Sequence, residues 1–451
     1  MTTSPIKPAA ECSPGLTRRA AILLPIGLAG CTTITNLLTP ADKRLPGVRE
    51  NVLPVRNGLE LDAASNTTVV LPAPVAIDSW PQPGGNASHV LGSLVGPTSF
   101  QKKWQADIGT GNGYRRKLVV QPIIFGGRVF TMDVDGVVSA LKAKNGGFLW
   151  LYDPAPQQAD STNFGGGLST DGTYLFVTTG YGDLIALDPA KGKPVWRIAL
   201  GAPARSAATV QDGVLYLITL DARLLAYSAA NGAAIWSYQG ETATTMALSV
   251  SAPAVEGNFV AAAFGSGELV AVDRQTGVEV WTDSVSTARQ LVAASDISTV
   301  TSPVVLSGGT VFALGLSGLM LAIDVKSGRR LWERDVGGFQ MPWVVGGIVF
   351  VYGDGHLLAL TRDEGTALWI VEIPQYRNPK KLSGRINWYG PLYFGEKLWM
   401  ASDTGLMLAI DPANGKFGKP VQLGGKVALT PVIADGTIYI MFESAAIAAF
   451  A

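Results

Sequence analysis

From about residue 100 to the C-terminus the hydrophobic positions fall in short runs, broken by Gly, Asp and Asn. The fullest copy of the pattern is Gly318-Leu319-Met320-Leu321-Ala322-Ile323-Asp324-Val325-Lys326-Ser327-Gly328-Arg329-Arg330-Leu331-Trp332. It recurs as Gly182 to Asp188 followed by Gly192 and Trp196, and as Gly267 to Asp273 followed by Gly277 and Trp281. Each unit reads as four strands: one after a Pro, one after a Gly turn, the Leu-x-Ala-Leu-Asp strand, and one carrying Trp. Short β-rich runs at regular spacing with such turns predict an all-β fold. In the Asp-x-x-x-Gly link, Asp bonds its own backbone and Gly supplies the positive φ of a tight hairpin.

The anchor residues are Trp104, Trp150, Trp196, Trp236, Trp281, Trp332, Trp369 and Phe417, spaced 37 to 51 apart. A four-stranded unit with a period of roughly 40–45 is the pattern of a propeller blade. The last unit stops at Ala451 after a second strand at Thr437–Phe442 and a third at Ala446–Phe450. Near the front, Trp104-Gln105-Ala106-Asp107-Ile108-Gly109 matches Trp332-Glu333-Arg334-Asp335-Val336-Gly337 without earlier strands of its own. Residues of about 100–109 are therefore expected to complete the C-terminal blade. The predicted fold is an eight-bladed β-propeller over 99–451, its last blade closed by an N-terminal strand, which protects the sheet edges.

Hydrophobic residues make up 47% of the 451 and charged ones 16%. Spread over short β runs, that balance implies sheets buried on both faces. The formal net charge is zero, from 35 basic and 35 acidic residues, which argues against a nucleic-acid binder. The clusters Arg115-Arg116-Lys117 and Lys380-Lys381 read as solvated loops. The two cysteines, Cys12 and Cys31, precede the repeats, so the propeller holds no disulfide or cysteine metal site.

Residues 1–30 read as a lipoprotein signal peptide, with Arg18-Arg19 before an apolar Ala20–Ala29 too short to span a bilayer. Leu28-Ala29-Gly30-Cys31 resembles a bacterial lipobox, which makes Cys31 the expected lipidated first residue. Thr32 rather than Asp follows, which implies sorting to the outer membrane, on its periplasmic face. Thr17-Arg18-Arg19 leaves Sec and twin-arginine export both open. Residues 31–98 carry no repeat, are punctuated by Pro, and read as an extended tether. Within it Trp80-Pro81-Gln82-Pro83-Gly84-Gly85 is expected to pack on the propeller.

Candidate chemistry is sparse. His89 lies in the tether and His356 at an ordinary repeat position, so neither a His metal pair nor a Ser/His/Asp triad is expected. Asp188, Asp273, Asp324 and Asp411 recur once per blade and read as turn residues. Asp133-Val134-Asp135-Gly136 lacks the other ligands of a calcium loop and reads as a hairpin. Gly109-Thr110-Gly111-Asn112-Gly113 has no helix behind it to hold a phosphate. The Trp anchors, all at one strand position, read as packing between blades. No catalytic, cofactor or metal residue is expected, and the protein is read as not an enzyme.

The Leu-x-Ala-Leu/Ile-Asp-x-x-x-Gly-x-x-x-Trp phrase is similar to the repeat of pyrroloquinoline-quinone-type propellers, a superfamily of quinoprotein dehydrogenases and non-enzymatic lipoproteins. The dehydrogenases carry a vicinal cysteine pair, which this propeller lacks. The lipobox, tether, eight repeats and composite blade together resemble the outer-membrane protein assembly factor B (BamB) family, over about residues 20–451. Trp80–Gly85 and Gly384-Arg385-Ile386-Asn387-Trp388-Tyr389-Gly390-Pro391 look typical of its alphaproteobacterial type. The resemblance implies a monomeric scaffold within the barrel-assembly machinery, binding a periplasmic POTRA domain of a BamA-type barrel protein. It is expected to reach the membrane by the lipid anchor only. The family's contact residues lie in two inter-blade loops, which map here to Met246, Ala247 and Leu248 and to Asp296 and Ser298. Leu248 stands where the family has Arg, and Ser298 where it has Asp. The alternatives are a generic envelope propeller lipoprotein binding another protein or a polysaccharide, and a quinone-dependent dehydrogenase.

Overall fold

Eight four-stranded antiparallel sheets stand around a common axis in the computed structural model, which describes residues 57–62, 69–156, 165–204, 206–242, 251–285 and 302–451. Blades 1 to 7 are continuous in sequence: 123–152, 166–199, 209–239, 254–284, 305–334, 343–372 and 388–422. Blade 8 takes three strands from 432–450 and its fourth from Lys102–Asp107, as expected from the truncated last repeat. First strands touch one another between blades and so surround the axis. Second and third strands are buried on both faces, and fourth strands such as Pro194–Ala199 alternate exposed and part-buried at the rim. That layering accounts for the apolar excess of the chain.

Every residue of the repeated phrase has a packing reason. Its Ala faces the blade's own Trp across the third and fourth strands: Ala140 with Trp150, Ala186 with Trp196, Ala322 with Trp332, and Ala449 with Trp104. On the Ala's other side stands an aromatic of the second strand, such as Phe130, Phe176 or Phe312. Only a small residue between them lets the rings meet, with centroids 5.9 Å apart for Phe130–Trp150 and 6.0 Å for Phe312–Trp332. A bulge follows the Ala, between Ala322 and Ile323 for example, and turns the strand into the Asp hairpin. There Asp324 Oδ1 accepts the Ser327 N–H at 2.8 Å, and Asp188 Oδ1 the Ala190 N–H at 2.7 Å.

The Gly of each hairpin is covered by the Trp of the preceding blade. A Cβ on Gly365 would lie 2.5 Å from Trp332, and one on Gly146 would lie 2.5 Å from Trp104, which carries the contact across the blade 8 to blade 1 boundary. The φ of +68° at Gly365 and +69° at Gly146 requires Gly as well. Most of these indoles also donate to a hairpin carbonyl of the next blade, as Trp332 Nε1 does to Arg362 O at 2.8 Å and Trp104 Nε1 to Ala143 O at 2.9 Å. Trp196 packs on Gly232 in the same way, but its Nε1 is buried without a partner.

Phe417 departs from the other anchors and is 45% exposed. It pairs with Ile410 rather than with the phrase's Ala409, two residues short of the Trp register, as the exposed Phe148 does opposite Leu141 in blade 1, and so it does not cover the boundary between blades 7 and 8. This boundary is sealed instead by Phe394 stacked on Trp399 at 5.3 Å, with Phe100 on Trp399 at 4.8 Å.

Residues 56–451 form one compact unit. Within it, 69–98 run extended and lie on the propeller. From Ile77 to Leu94 this segment makes one circuit of the axis and bonds every blade in turn. Asp435 N of blade 8 donates to Ile77 O at 2.8 Å, and Trp80 pairs with Ile124 of blade 1. Thr170 N of blade 2 donates to Pro81 O at 2.9 Å, and Val210 N of blade 3 to Gln82 Oε1 at 2.8 Å. Val255 N of blade 4 reaches Ala87 O at 2.7 Å, and Leu306 N of blade 5 reaches Ser88 O at 3.0 Å. Trp343 Nε1 of blade 6 donates to Gly92 O at 2.8 Å, and Gly395 N of blade 7 to Leu94 O at 2.9 Å. Further forward, Arg334 of blade 5 clamps the chain against the rim. Its guanidinium donates to Gly58 O, Glu60 O and Asp62 Oδ2 at 2.8, 2.6 and 2.8 Å.

Candidate functional site

In a four-stranded meander the links between blades and the second-to-third hairpins share one face, and the other hairpins share the opposite face. The circuit of 77–94 sits at the ends of the first strands, on the opposite face. The axial channel is therefore blind. A cavity of about 360 Å³ opens toward the linking face, has Trp80, Pro83 and Gly84 for a floor, and takes wall residues from each blade or from the link leading into it. The walls are largely apolar, with Leu118, Leu168, Ala207, Ala252, Met341 and Leu392 among them. Its polar groups are mostly engaged: Gln340 Oε1 accepts from Thr430 Oγ1 at 3.1 Å, and Gln121 Nε2 donates to Thr430 O at 3.1 Å.

The described lining contains no charged side chain, so it offers no cation to an acidic quinone cofactor. Among the described residues no group of three or more His, Cys, Asp or Glu could hold a metal ion. Asp133 sits in a hairpin, where its carboxylate accepts the N–H of Asp135, Val137 and Thr110 at 3.0, 2.9 and 2.9 Å. Burial pushes its pKa up against those bonds. His89 lies in the circuit, fully buried, with Nδ1 2.6 Å from Val304 O; burial pulls its pKa down to about 4. His356 Nδ1 meets Asp354 O at the edge of blade 6.

Met246, Ala247, Leu248, Asp296 and Ser298 lie outside the described residues, as does Cys31. What is described is where the two loops are rooted. Loop 243–250 ends at Ser251 and loop 286–301 at Ser302, both fully buried. Ser251 Oγ accepts the Val304 N–H at 3.3 Å, which ties the two roots together, and Ser302 Oγ donates to Leu314 O at 3.2 Å. The described residues that follow the two stretches thus lie side by side, on either side of blade 4, on the linking face.

A family model described as "Outer membrane protein assembly factor BamB" matches residues 134–371, a little over half of the chain. The chain belongs to the BamB family. An outer membrane protein assembly factor BamB from Yersinia pestis is 29% identical over 363 residues, covering 75% of this chain and 88% of its own. One from Burkholderia pseudomallei is 26% identical over 355 residues, covering 78% and 87%. These BamB relatives are named as assembly factors, not as enzymes. Among solved structures, BamB from Moraxella catarrhalis superposes with a TM-score of 0.66 at 17% identity, over 78% of this chain and 99% of that one. A quinohemoprotein alcohol dehydrogenase from Pseudomonas putida superposes with 0.63 at 14% identity, over 83% and 80%. At that identity the likeness is one of fold, shared by BamB and the dehydrogenases alike.

Two features of this BamB-family chain escaped sequence reasoning. The circuit of 77–94 has no periodicity, and only the Trp80–Gly85 stretch hinted at it. The link from blade 6 to blade 7 carries its own hairpin, Tyr376–Asn378 with Ser383–Arg385, of which Lys380-Lys381 was the visible trace.

Proposed function

We propose that this chain is a non-enzymatic scaffold lipoprotein of the outer-membrane barrel-assembly machinery. It is anchored through acylated Cys31 on the periplasmic face of the outer membrane, and it binds a POTRA domain of a BamA-type barrel protein. The binding patch consists of about residues 243–251 and 291–302, with Met246, Ala247 and Leu248 on one stretch and Asp296 and Ser298 on the other. The observation that supports this reading is the Ser251–Val304 tie, which roots both loops side by side on one face. A patch of that composition binds through a few apolar anchors. Carrying one charge, Asp296, it depends weakly on salt. Leu248→Asp is expected to weaken capture of the POTRA-bearing protein tenfold or more at an unchanged melting temperature, and Asp296→Ala to do less. Parent-like capture by Leu248→Asp in a pull-down at matched stability would place the partner site elsewhere.

A further inference from the structure

The hairpin between blades 6 and 7 is an addition to the repeat, and its composition is one-sided. Residues 373–387 include Arg377, Lys380, Lys381 and Arg385 and no acidic residue. Residues 377–385 are all exposed. The base is held firmly: Trp388 Nε1 donates to Pro374 O at 2.7 Å, and Ile386 N to Gln375 O at 2.8 Å. At the tip stands Leu382, 61% exposed, with a φ of +48° in a region that favours Gly or Asn. An apolar residue is thus held outward in a turn that a polar one would suit better, between two lysines and an arginine. Among the described residues only Arg377 of the four cations comes within 4.0 Å of a carboxylate, 3.7 Å from Asp403. Asp403 is itself buried and accepts the Asn387 Nδ2 hydrogen bond at 2.9 Å.

The same combination occurs again on this face. The link from blade 8 to blade 1 presents Tyr114, 94% exposed, beside the exposed Arg115 and Lys117. Arg116 in the same link pairs with Asp135. Two links thus each offer one apolar or aromatic residue flanked by cations. A bilayer interface takes both, since cations meet headgroup phosphates while Leu and Tyr enter the boundary between headgroup and chain.

We infer that this half of the linking face docks on an anionic phospholipid surface, with the 376–385 hairpin as the principal contact and the Tyr114 link as the second. The half around blade 4, where the partner loops are rooted, stays free.

The test uses residues 57–451, the compact unit that holds every blade and the circuit, and that lacks Cys31 and any acyl chain. Flotation with vesicles of phosphatidylcholine containing phosphatidylglycerol is compared with phosphatidylcholine alone. Binding is expected only to the anionic vesicles and is expected to fall as salt rises. A lysine or arginine near an anionic leaflet is worth about fivefold in affinity. Lys380→Gln, Lys381→Gln and Arg385→Gln together should therefore lose on the order of a hundredfold. Leu382→Ser should weaken binding several-fold with the salt dependence intact, which a purely ionic contact would not do. Lys191→Gln with Lys193→Gln, on the opposite face, should bind like the parent. Equal binding to neutral vesicles, parent-like binding by the triple variant, or absence of vesicle binding with capture of an acidic protein instead would each overturn the inference. None of these outcomes depends on acylation or on the POTRA-binding loops.

Discussion

Trp332→Ala and Phe417→Ala test the docking rule as a pair, since Trp332 stands over the next blade's hairpin while Phe417, paired with Ile410 two residues short of that register, stands exposed. Trp332 is 8% exposed, stands over Gly365 of the next blade, meets Phe312 at 6.0 Å and donates to Arg362 O at 2.8 Å. A buried indole removes on the order of 200 Å² from water. With Ala keeping a small part of that, about 25 cal/mol per Å² gives roughly 4 kcal/mol. The stranded Arg362 carbonyl adds about 1 kcal/mol, and measured Trp→Ala losses of about 3–5 kcal/mol agree. At about 2.1 cal/mol/K per residue, unfolding the 57–451 unit carries an entropy near 0.8 kcal/mol/K, so a 4 kcal/mol loss lowers the melting temperature by about 5 °C. Phe417, 45% exposed, should lose less than about 1 kcal/mol, a shift of about 1 °C or less. Thermal melts by circular dichroism and matched urea titrations read both. Equal shifts for the two variants, or a shift under about 1 °C for Trp332→Ala, would refute the account of the repeat as blade-to-blade docking.

Other outcomes follow from separate parts of the chain. Cys31→Ser should leave the propeller folded and let a high-salt wash, which screens the ionic lipid contact, move the protein from the membrane to the soluble fraction; a membrane fraction unchanged after that wash, with globomycin-insensitive processing, would rule out the lipid anchor. His89, held near a pKa of about 4 by burial, stays neutral where an unfolded histidine near 6.5 takes up a proton. Its contribution to stability is therefore complete above about pH 6.5 and is lost as pH falls, by about 2.5 kcal/mol at about pH 4.5. Urea midpoints measured from neutral to acid pH should show this slope in the parent and a flatter one in His89→Gln; parallel profiles would mean that His89 is accessible to protons.

The repeat was legible because each of its residues answers to a neighbour at a fixed offset. Ala322 must be small beside Trp332, Asp324 must bond Ser327, and Gly328 must admit Trp281 from the preceding blade. Such constraints recur once per blade, and recurrence is what a single sequence can display. Phe417 was read as one more anchor because its spacing is regular, while strand pairing places it opposite Ile410, two residues short of the Trp position. The candidate site was less legible. The mapping to Met246–Leu248 and Asp296–Ser298 came from family resemblance, and the sequence alone gives no sign that Ser251 and Val304 tie the two loops at their roots.

The circuit of 77–94 was read as tether for a physical reason. Its contacts are mainly backbone hydrogen bonds, and these leave almost no trace in side-chain pattern. The donors belong to the blades: Thr170, Val255, Leu306 and Asp435 each point an N–H at a carbonyl of this segment. In a closed ring the first strands have no further strand on the axial side, so their polar groups need a partner or water. One extended segment supplies several of those partners and closes the channel as it does so. A blind channel rules out passage along the axis and leaves the cavity open toward the linking face. Both proposed contacts, the loops beside blade 4 and the hairpin between blades 6 and 7, lie on the face that the circuit leaves open.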